Sequence, residues 1–132
     1  VRPAPPNPKA FTILVVEDEF LIGLELVDVL EGAGYAVLGP APTVNAALTL
    51  MEQTAFDACI LDVSLREGDS GPVAEALKAK GVPFVLSSAY ERATLDKVPA
   101  FRDVPNIGKP NPPHEVLAAL AAMTEDRGVG GH

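Results

Sequence analysis

The sequence is poor in the residues that carry soft-metal and disulfide chemistry: of 132 residues one is cysteine, two are histidine and none is tryptophan. A lone cysteine excludes an internal disulfide framework. Cys59 stands inside the apolar run Ala58–Leu61 and reads as a small buried hydrophobe, so redox chemistry is disfavoured. No apolar run approaches the ~20 residues that cross a bilayer, and no basic-then-apolar leader is present. We therefore expect a soluble, cytoplasmic protein without a membrane partner. Positive charge is scarce as well, with 10 Lys and Arg against 18 Asp and Glu and a formal net charge of −8. No basic stripe offsets that balance, which disfavours direct docking on nucleic acid.

Hydrophobic residues are plentiful, at 48% of the chain, enough for one domain that buries roughly two-thirds of the surface its unfolded form exposes. The opening stretch "VRPAPPNPKA" has four prolines in ten residues and can neither pair in a sheet nor continue a helix. We assign residues 1–10 to a disordered tail, 11–124 to the folded domain, and the polar, Gly-rich 125–132 to a second tail.

Between the tails the pattern alternates. "FTILVV", Phe11 to Val16, is a short β-branched run suited to a strand buried on both faces. A helix from about Glu19 to Ala33 follows, with Ile22, Leu26, Val29 and Leu30 on one side. "YAVLGPAP" predicts a second strand, and Thr43 caps the next helix. "ACIL" is the third strand. A helix then starts at Ser70 or Gly71, carries Pro72 in its first turn and ends at Gly81. "PFVLS" is the fourth strand, the stretch from Ala89 to Pro105 holds a short, weakly held helix, and "VPNI" is a short fifth strand. The last helix starts near Pro112 or Pro113 and turns Val116, Leu117, Leu120 and Met123 inward. Such alternation predicts an α/β, doubly wound, flavodoxin-like domain, a five-stranded parallel sheet with helices on both faces. In that architecture ligands bind beyond the carboxyl ends of the strands.

Four of the strand ends carry chemistry. Glu17 and Asp18 follow the first strand, Asp62 the third, Ser87 to Tyr90 the fourth, and Gly108, Lys109 and Pro110 the fifth. Each has an ordinary explanation alone: Asp18 as a helix cap, Asp62 as a turn residue, Lys109 as a solvated cation. Together they crowd three carboxylates at one rim, which destabilises the ionised cluster unless a cation compensates. Oxygen donors without His or Cys nearby point to Mg²⁺. A carboxylate, a divalent cation, a lysine and a hydroxyl can hold the peripheral oxygens of a transferring phosphoryl group, with Asp62 as the nucleophile.

The motifs "ILVVEDE", "ILDVSL", "VLSSAY" and "IGKP" occur in the order and approximate spacing of the receiver domain of bacterial two-component response regulators, which the chain resembles from Phe11 to Met123. The resemblance implies that Asp62 is the phosphoacceptor and that Glu17 and Asp18 are the acidic pair that organises Mg²⁺ with Asp62. It implies that Ser64 lends the metal a backbone carbonyl, that Lys109 pairs with the phosphoryl group, and that Ser88 is the hydroxyl switch. The aromatic that ordinary receivers carry shortly before the lysine is missing, and Tyr90 stands two residues after Ser88 instead. That placement resembles alphaproteobacterial receivers whose fourth strand ends Phe-Ala-Thr-Gly-Tyr, and it implies that Tyr90 relays the movement of Ser88. The partners implied are a sensor histidine kinase or phosphotransfer protein and a downstream protein, with a homodimer allowed.

Two other functions compete. A small Mg²⁺-dependent phosphohydrolase would use the same aspartyl phosphate, but such haloacid dehalogenase-like enzymes want a second acid where Ser64 stands, and a cap domain. A receiver-like binding module independent of phosphorylation would be expected to have lost the acceptor, the acidic pair or the lysine. All are present, so a signalling phosphoacceptor that is not an enzyme is the expected function.

Overall fold

The computed structural model describes residues 11–65 and 68–130. Four strands, β1 (Thr12–Val16), β2 (Ala36–Ala41), β3 (Ala58–Asp62) and β6 (Phe84–Ser87), form a parallel sheet in the order β2-β1-β3-β6. The long helices are α1 (Phe20–Gly32), α2 (Val44–Gln53), α3 (Gly71–Lys80) and α5 (Pro113–Gly130). A four-residue α4 (Arg92–Leu95) and a 3-10 turn (Pro99–Phe101) occupy the stretch expected to be weakly helical. Among the described residues no helix is long and apolar enough to cross a membrane.

Strand alternation sends neighbouring side chains to opposite faces, and two cores result. Leu14, Val16, Cys59, Leu61 and Leu86 pack with Met51 of α2, Leu77 of α3 and Phe101. Ile13, Val15, Ile60 and Val85 pack with Leu26 and Leu30 of α1 and with Val116 and Leu120 of α5. Both central strands are thus covered on each side, as parallel sheets require. Cys59 is fully buried, and burial pushes its thiol well above its ordinary pKa, which leaves it inert.

The local signals act as their chemistry dictates. The Thr43 hydroxyl accepts from the Ala46 amide at 3.0 Å and caps α2. Gly81 ends α3 in the left-handed region, at φ 70°. Gly39, at φ 100°, has no room for a side chain, since a Cβ there would lie 2.7 Å from the Val15 carbonyl oxygen.

The structure departs from the expected elements at the fifth strand and the last helix, and adds one ladder. The fifth strand shrinks to a single parallel bridge between Asn106 and Leu86, fixed by the Leu86 amide on the Pro105 carbonyl and the Ile107 amide on the Leu86 carbonyl. Pro105 has no N–H to extend the ladder, and Gly108 turns the chain away at φ 84°. The loop after β3 contains a small antiparallel ladder, β4 (Ser64–Leu65) with β5 (Gly68–Asp69). The last helix continues past Met123 to Gly130, because helical hydrogen bonds are local and propagate beyond the last packed turn. The tail assigned to residues 1–10, and residues 131–132 of the second, lie outside the described residues.

Leu61 lies on central β3 and is fully buried beside the site. Leu61→Ala is expected to cost about 2–5 kcal/mol of stability, read as a lower urea midpoint at unchanged m-value. A loss below ~1 kcal/mol would contradict the packing described for that face.

Candidate functional site

The carboxyl ends of β1, β3 and β6 open into one cleft lined by Asp18, Glu19, Asp62, Ser64, Leu65, Ser88, Ala89, Tyr90 and Lys109. Oxygens of Glu17, Asp18 and Asp62 all lie within 4.8 Å of one another. Glu17 and Asp62 are buried, each with 3% of its surface exposed, while Asp18 is half-buried. The three expected acids therefore share one rim.

Lys109 is the cation among them. Its Nζ is 3.1 Å from Asp62 Oδ2 and 3.1 Å from Glu17 Oε1. It donates to Asp62 Oδ2, and more weakly to Glu17 Oε2 at 3.4 Å. Glu17 Oε2 also accepts from the Glu19 amide at 3.0 Å, at the start of α1. Glu17 Oε1 is buried and accepts no hydrogen bond among the described residues, although the lysine is near.

One ammonium does not neutralise this cluster. The Asp62 carboxyl is raised to about 7: burial contributes most, the neighbouring Glu17 adds to it, and the Lys109 pairing only partly opposes them. Burial acts to lower Lys109, but Asp62 and Glu17 outweigh it and hold the amine above its ordinary value. Lys109 stays charged while Asp62 is poised near neutrality. A buried Glu17 oxygen that accepts no hydrogen bond, within a cluster of three crowded carboxylates, is the setting a hard cation fits, and Glu17, Asp18 and Asp62 offer it oxygen donors.

The ordinary explanations of these residues fare unequally. At the start of α1 the capping position falls on Glu19, which makes no side-chain cap bond, so a cap does not account for Asp18. Asp62 does act as a turn residue, since its Oδ1 accepts from the Ser64 amide at 3.2 Å. That bond leaves Oδ2 facing the lysine. The Ser70 hydroxyl donates to the Asp62 carbonyl at 2.6 Å from a fully buried position and fixes the backbone beneath the carboxylate.

Of the paired serines, Ser88 lines the cleft, whereas Ser87 turns to Asn111, which donates to its Oγ at 3.0 Å. The Ser88 Oγ accepts from the Tyr90 amide at 2.9 Å. Tyr90 is half exposed and its hydroxyl accepts from Ser64 Oγ at 3.3 Å, so the two side chains meet across the cleft mouth. No second acid occupies the place of Ser64.

Asn106, Ser70 and Asn111 were not singled out from the sequence for the site. Asn106 carried one usable signal: a residue disfavoured in strands stands in the short strand just before Lys109. Ser70 reads in the sequence only as a helix start, and its bond to the Asp62 carbonyl is a contact across eight residues that no local pattern announces.

No protein-family model matches the chain. The phyllosphere-induced regulator PhyR of Methylorubrum extorquens is 35% identical over 118 residues, which cover 85% of this chain and 43% of that protein. The BeF3-activated conformation of SdrG from Pseudomonas melonis Fr1 is 41% identical, with a TM-score of 0.72, over 89% of this chain and 98% of that one. The receiver (REC) domain of the PhyR response regulator from Erythrobacter litoralis is 25% identical, with a TM-score of 0.75, over 86% and 89% of the two chains. The chain spans less than half the length of the curated relatives it matches, 43% and 41%.

The poise of Asp62 has a thermodynamic signature. Between its ordinary pKa of 3.8 and its folded value of about 7, the native protein holds a proton that the unfolded chain has released. The Asp62 contribution to stability therefore falls as pH rises through that window and is constant above it. The urea midpoint of the metal-free protein is expected to decline across the window, and Asp62→Asn is expected to flatten the decline. Equal slopes in the two proteins would contradict this.

Proposed function

The chain belongs to the receiver domains of bacterial two-component response regulators, and on that premise we propose that Asp62 accepts a phosphoryl group from a phosphohistidine of a sensor kinase or phosphotransfer protein. The observation that carries this reading is the Lys109 ammonium, 3.1 Å from both Asp62 Oδ2 and Glu17 Oε1, at a cleft shared with Asp18 and Ser88.

In the transfer an Asp62 carboxylate oxygen attacks phosphorus, and the new O–P bond forms as the N–P bond to the donor imidazole breaks. The imidazole leaves with the electron pair and takes up a proton. Water later attacks the same phosphorus, releasing inorganic phosphate and restoring the carboxylate. Lys109 pairs with the phosphoryl oxygens and holds the acceptor in place. Ser88 already accepts from the Tyr90 amide, so its own proton is free to donate to a phosphoryl oxygen. Glu17, Asp18 and Asp62, with the Ser64 carbonyl, would hold Mg²⁺. When bound, that ion supplies positive charge to the phosphoryl oxygens, which is most of what phosphoryl transfer asks of a site.

The apolar side chains of Phe20 and Leu21, 76% and 72% exposed, stand at the start of α1 immediately after the cleft residues Asp18 and Glu19. They offer the donor protein a surface beside the acceptor. Turning of Ser88 toward the phosphoryl group would release the Tyr90 amide, and Tyr90 would carry the change to the surface around α4. Output then passes to a protein partner or to another part of a longer protein. SdrG, a relative of 41% identity, is known in a BeF3-activated conformation, and beryllofluoride has the charge and shape of a phosphoryl group.

Acetyl phosphate with Mg²⁺ is expected to add one phosphoryl group to the wild-type protein by intact mass, none to Asp62→Asn, and to label Lys109→Ala at least ~10-fold more slowly. A phosphoryl adduct on Asp62→Asn, or none on the wild type when a control receiver is labelled, would overturn the reading. Phe20→Ala with Leu21→Ala is expected to slow transfer from the kinase about tenfold, a loss of ~1.4 kcal/mol, and to leave labelling by acetyl phosphate unchanged. An equal effect on both donors would contradict a docking role.

A further inference from the structure

The Asn106 side chain spans the two loops that carry the switch residues and the lysine. Its Oδ1 accepts from the Ser88 amide and from the Gly108 amide, each at 3.0 Å. Its Nδ2 donates to the Ser88 carbonyl at 3.0 Å and, more loosely, to the Tyr90 carbonyl at 3.5 Å. The carboxamide thus engages Ser88 by both its N–H and its C=O, as a neighbouring strand's peptide would. This replacement follows from the fold, because backbone pairing along this edge of the sheet is reduced to the bridge at Leu86. Beyond it the main chain of Ser88 has a side chain for a partner.

Gly108 and Ser88 share one acceptor atom, and Gly108 immediately precedes Lys109. A displacement of Ser88 cannot leave the Asn106 oxygen unchanged, and a displacement of that oxygen acts on the turn that aims the ammonium. An amide serves this purpose where an apolar side chain would not, since burying these main-chain groups without partners is costly.

We propose that Asn106 is a positioning residue that couples the Ser88–Tyr90 segment to the Gly108–Lys109 turn, so that the two respond together when Asp62 is phosphorylated. The inference rests on the proposed role of Asp62. It assigns to a fixed, four-way hydrogen-bonded carboxamide a link between the switch serine and the lysine.

The test compares wild type, Asn106→Ala and Asn106→Asp. Asp keeps both accepted bonds and loses both donated ones. Leu77→Ala, a buried substitution on α3, a helix that contributes no residue to the cleft lining, serves as a control for general loss of stability. With acetyl phosphate and Mg²⁺, Asn106→Ala is expected to take up the phosphoryl group about tenfold more slowly than wild type, from misplacement of Lys109. Asn106→Asp is expected to fall between them, and Leu77→Ala to keep the wild-type rate. With beryllofluoride, the amide resonances of Ser88, Tyr90, Gly108 and Lys109 are expected to shift together in wild type. In Asn106→Ala the Gly108 and Lys109 shifts should no longer accompany those of Ser88; if that variant does not fold, Asn106→Leu, which has a similar size and no acceptor, carries the same comparison. Wild-type labelling with an equally fast, equally coupled Asn106→Ala or Asn106→Leu variant overturns the inference alone. A wild type that takes no phosphoryl group overturns the role of Asp62 and the inference with it.

Discussion

Everything at the rim depends on the Lys109 ammonium lying between two buried carboxylates. Glu17 directly follows β1 and Asp62 ends β3, neighbours in the sheet, so strand pairing brings the two residues together. Removing one partner from such a buried pair costs about 3–5 kcal/mol, because the survivor is left charged and desolvated. Here the balance is uneven in the opposite direction, with more negative than positive charge at the site. Asp62 consequently rises to about 7 although it touches a lysine. A domain selected only for stability would gain by replacing one of these acids with a neutral residue. Retaining them is intelligible if the cluster handles a cation and an anion in turn.

Most of the frame was legible because it rests on local signals. Thr43 as a cap and Gly81 as a helix stop act through interactions within a few residues, and the apolar runs of β1 and β3 are contiguous in sequence although they pair and pack at long range. The strand-end rule then gathered Glu17, Asp18, Asp62, Ser88 and Lys109 at one edge, and the structure places all five at the rim. Alternation lets only one of Ser87 and Ser88 face Asp62, and the spacing to Tyr90 favours Ser88; Ser88 lines the cleft, and the bond from Asn111 to Ser87 shows where the other serine goes. What the sequence hid is non-local. The fifth strand failed at Pro105 and Gly108, whose cost to a ladder depends on the edge they meet. Asn106 is not legible in the sequence, because a polar residue in a weak strand has no visible partner until both loops are in place.

The same loss of strand pairing explains the character of the segment after β6. α4 has only four residues, too short to hold itself by helical cooperativity. Arg92 compensates by reaching the carbonyls of Val104, at 2.7 Å, and Phe101, at 3.5 Å, while pairing with Asp96 at 3.4 Å. Leu95 and Phe101 anchor the segment in the core. Polar links of this kind stabilise by ~1 kcal/mol each and exchange without repacking the interior. That combination, an anchored segment with replaceable surface bonds, suits an element that must adopt two arrangements at a gap of a few kcal/mol.

The proposed phosphoryl transfer requires Glu17, Asp18 and Asp62 to act as one cation-binding cluster. Its most direct measurement is a Mg²⁺ titration of the isotope-labelled wild type and of Asp18→Asn, followed through the backbone amides of Glu17, Asp18, Val63 and Ser64. Saturable shifts confined to the ends of β1 and β3 are expected in the wild type, with affinity lowered at least ~10-fold in the variant. Shifts scattered over the acidic surface, or equal affinity in the two proteins, would contradict it.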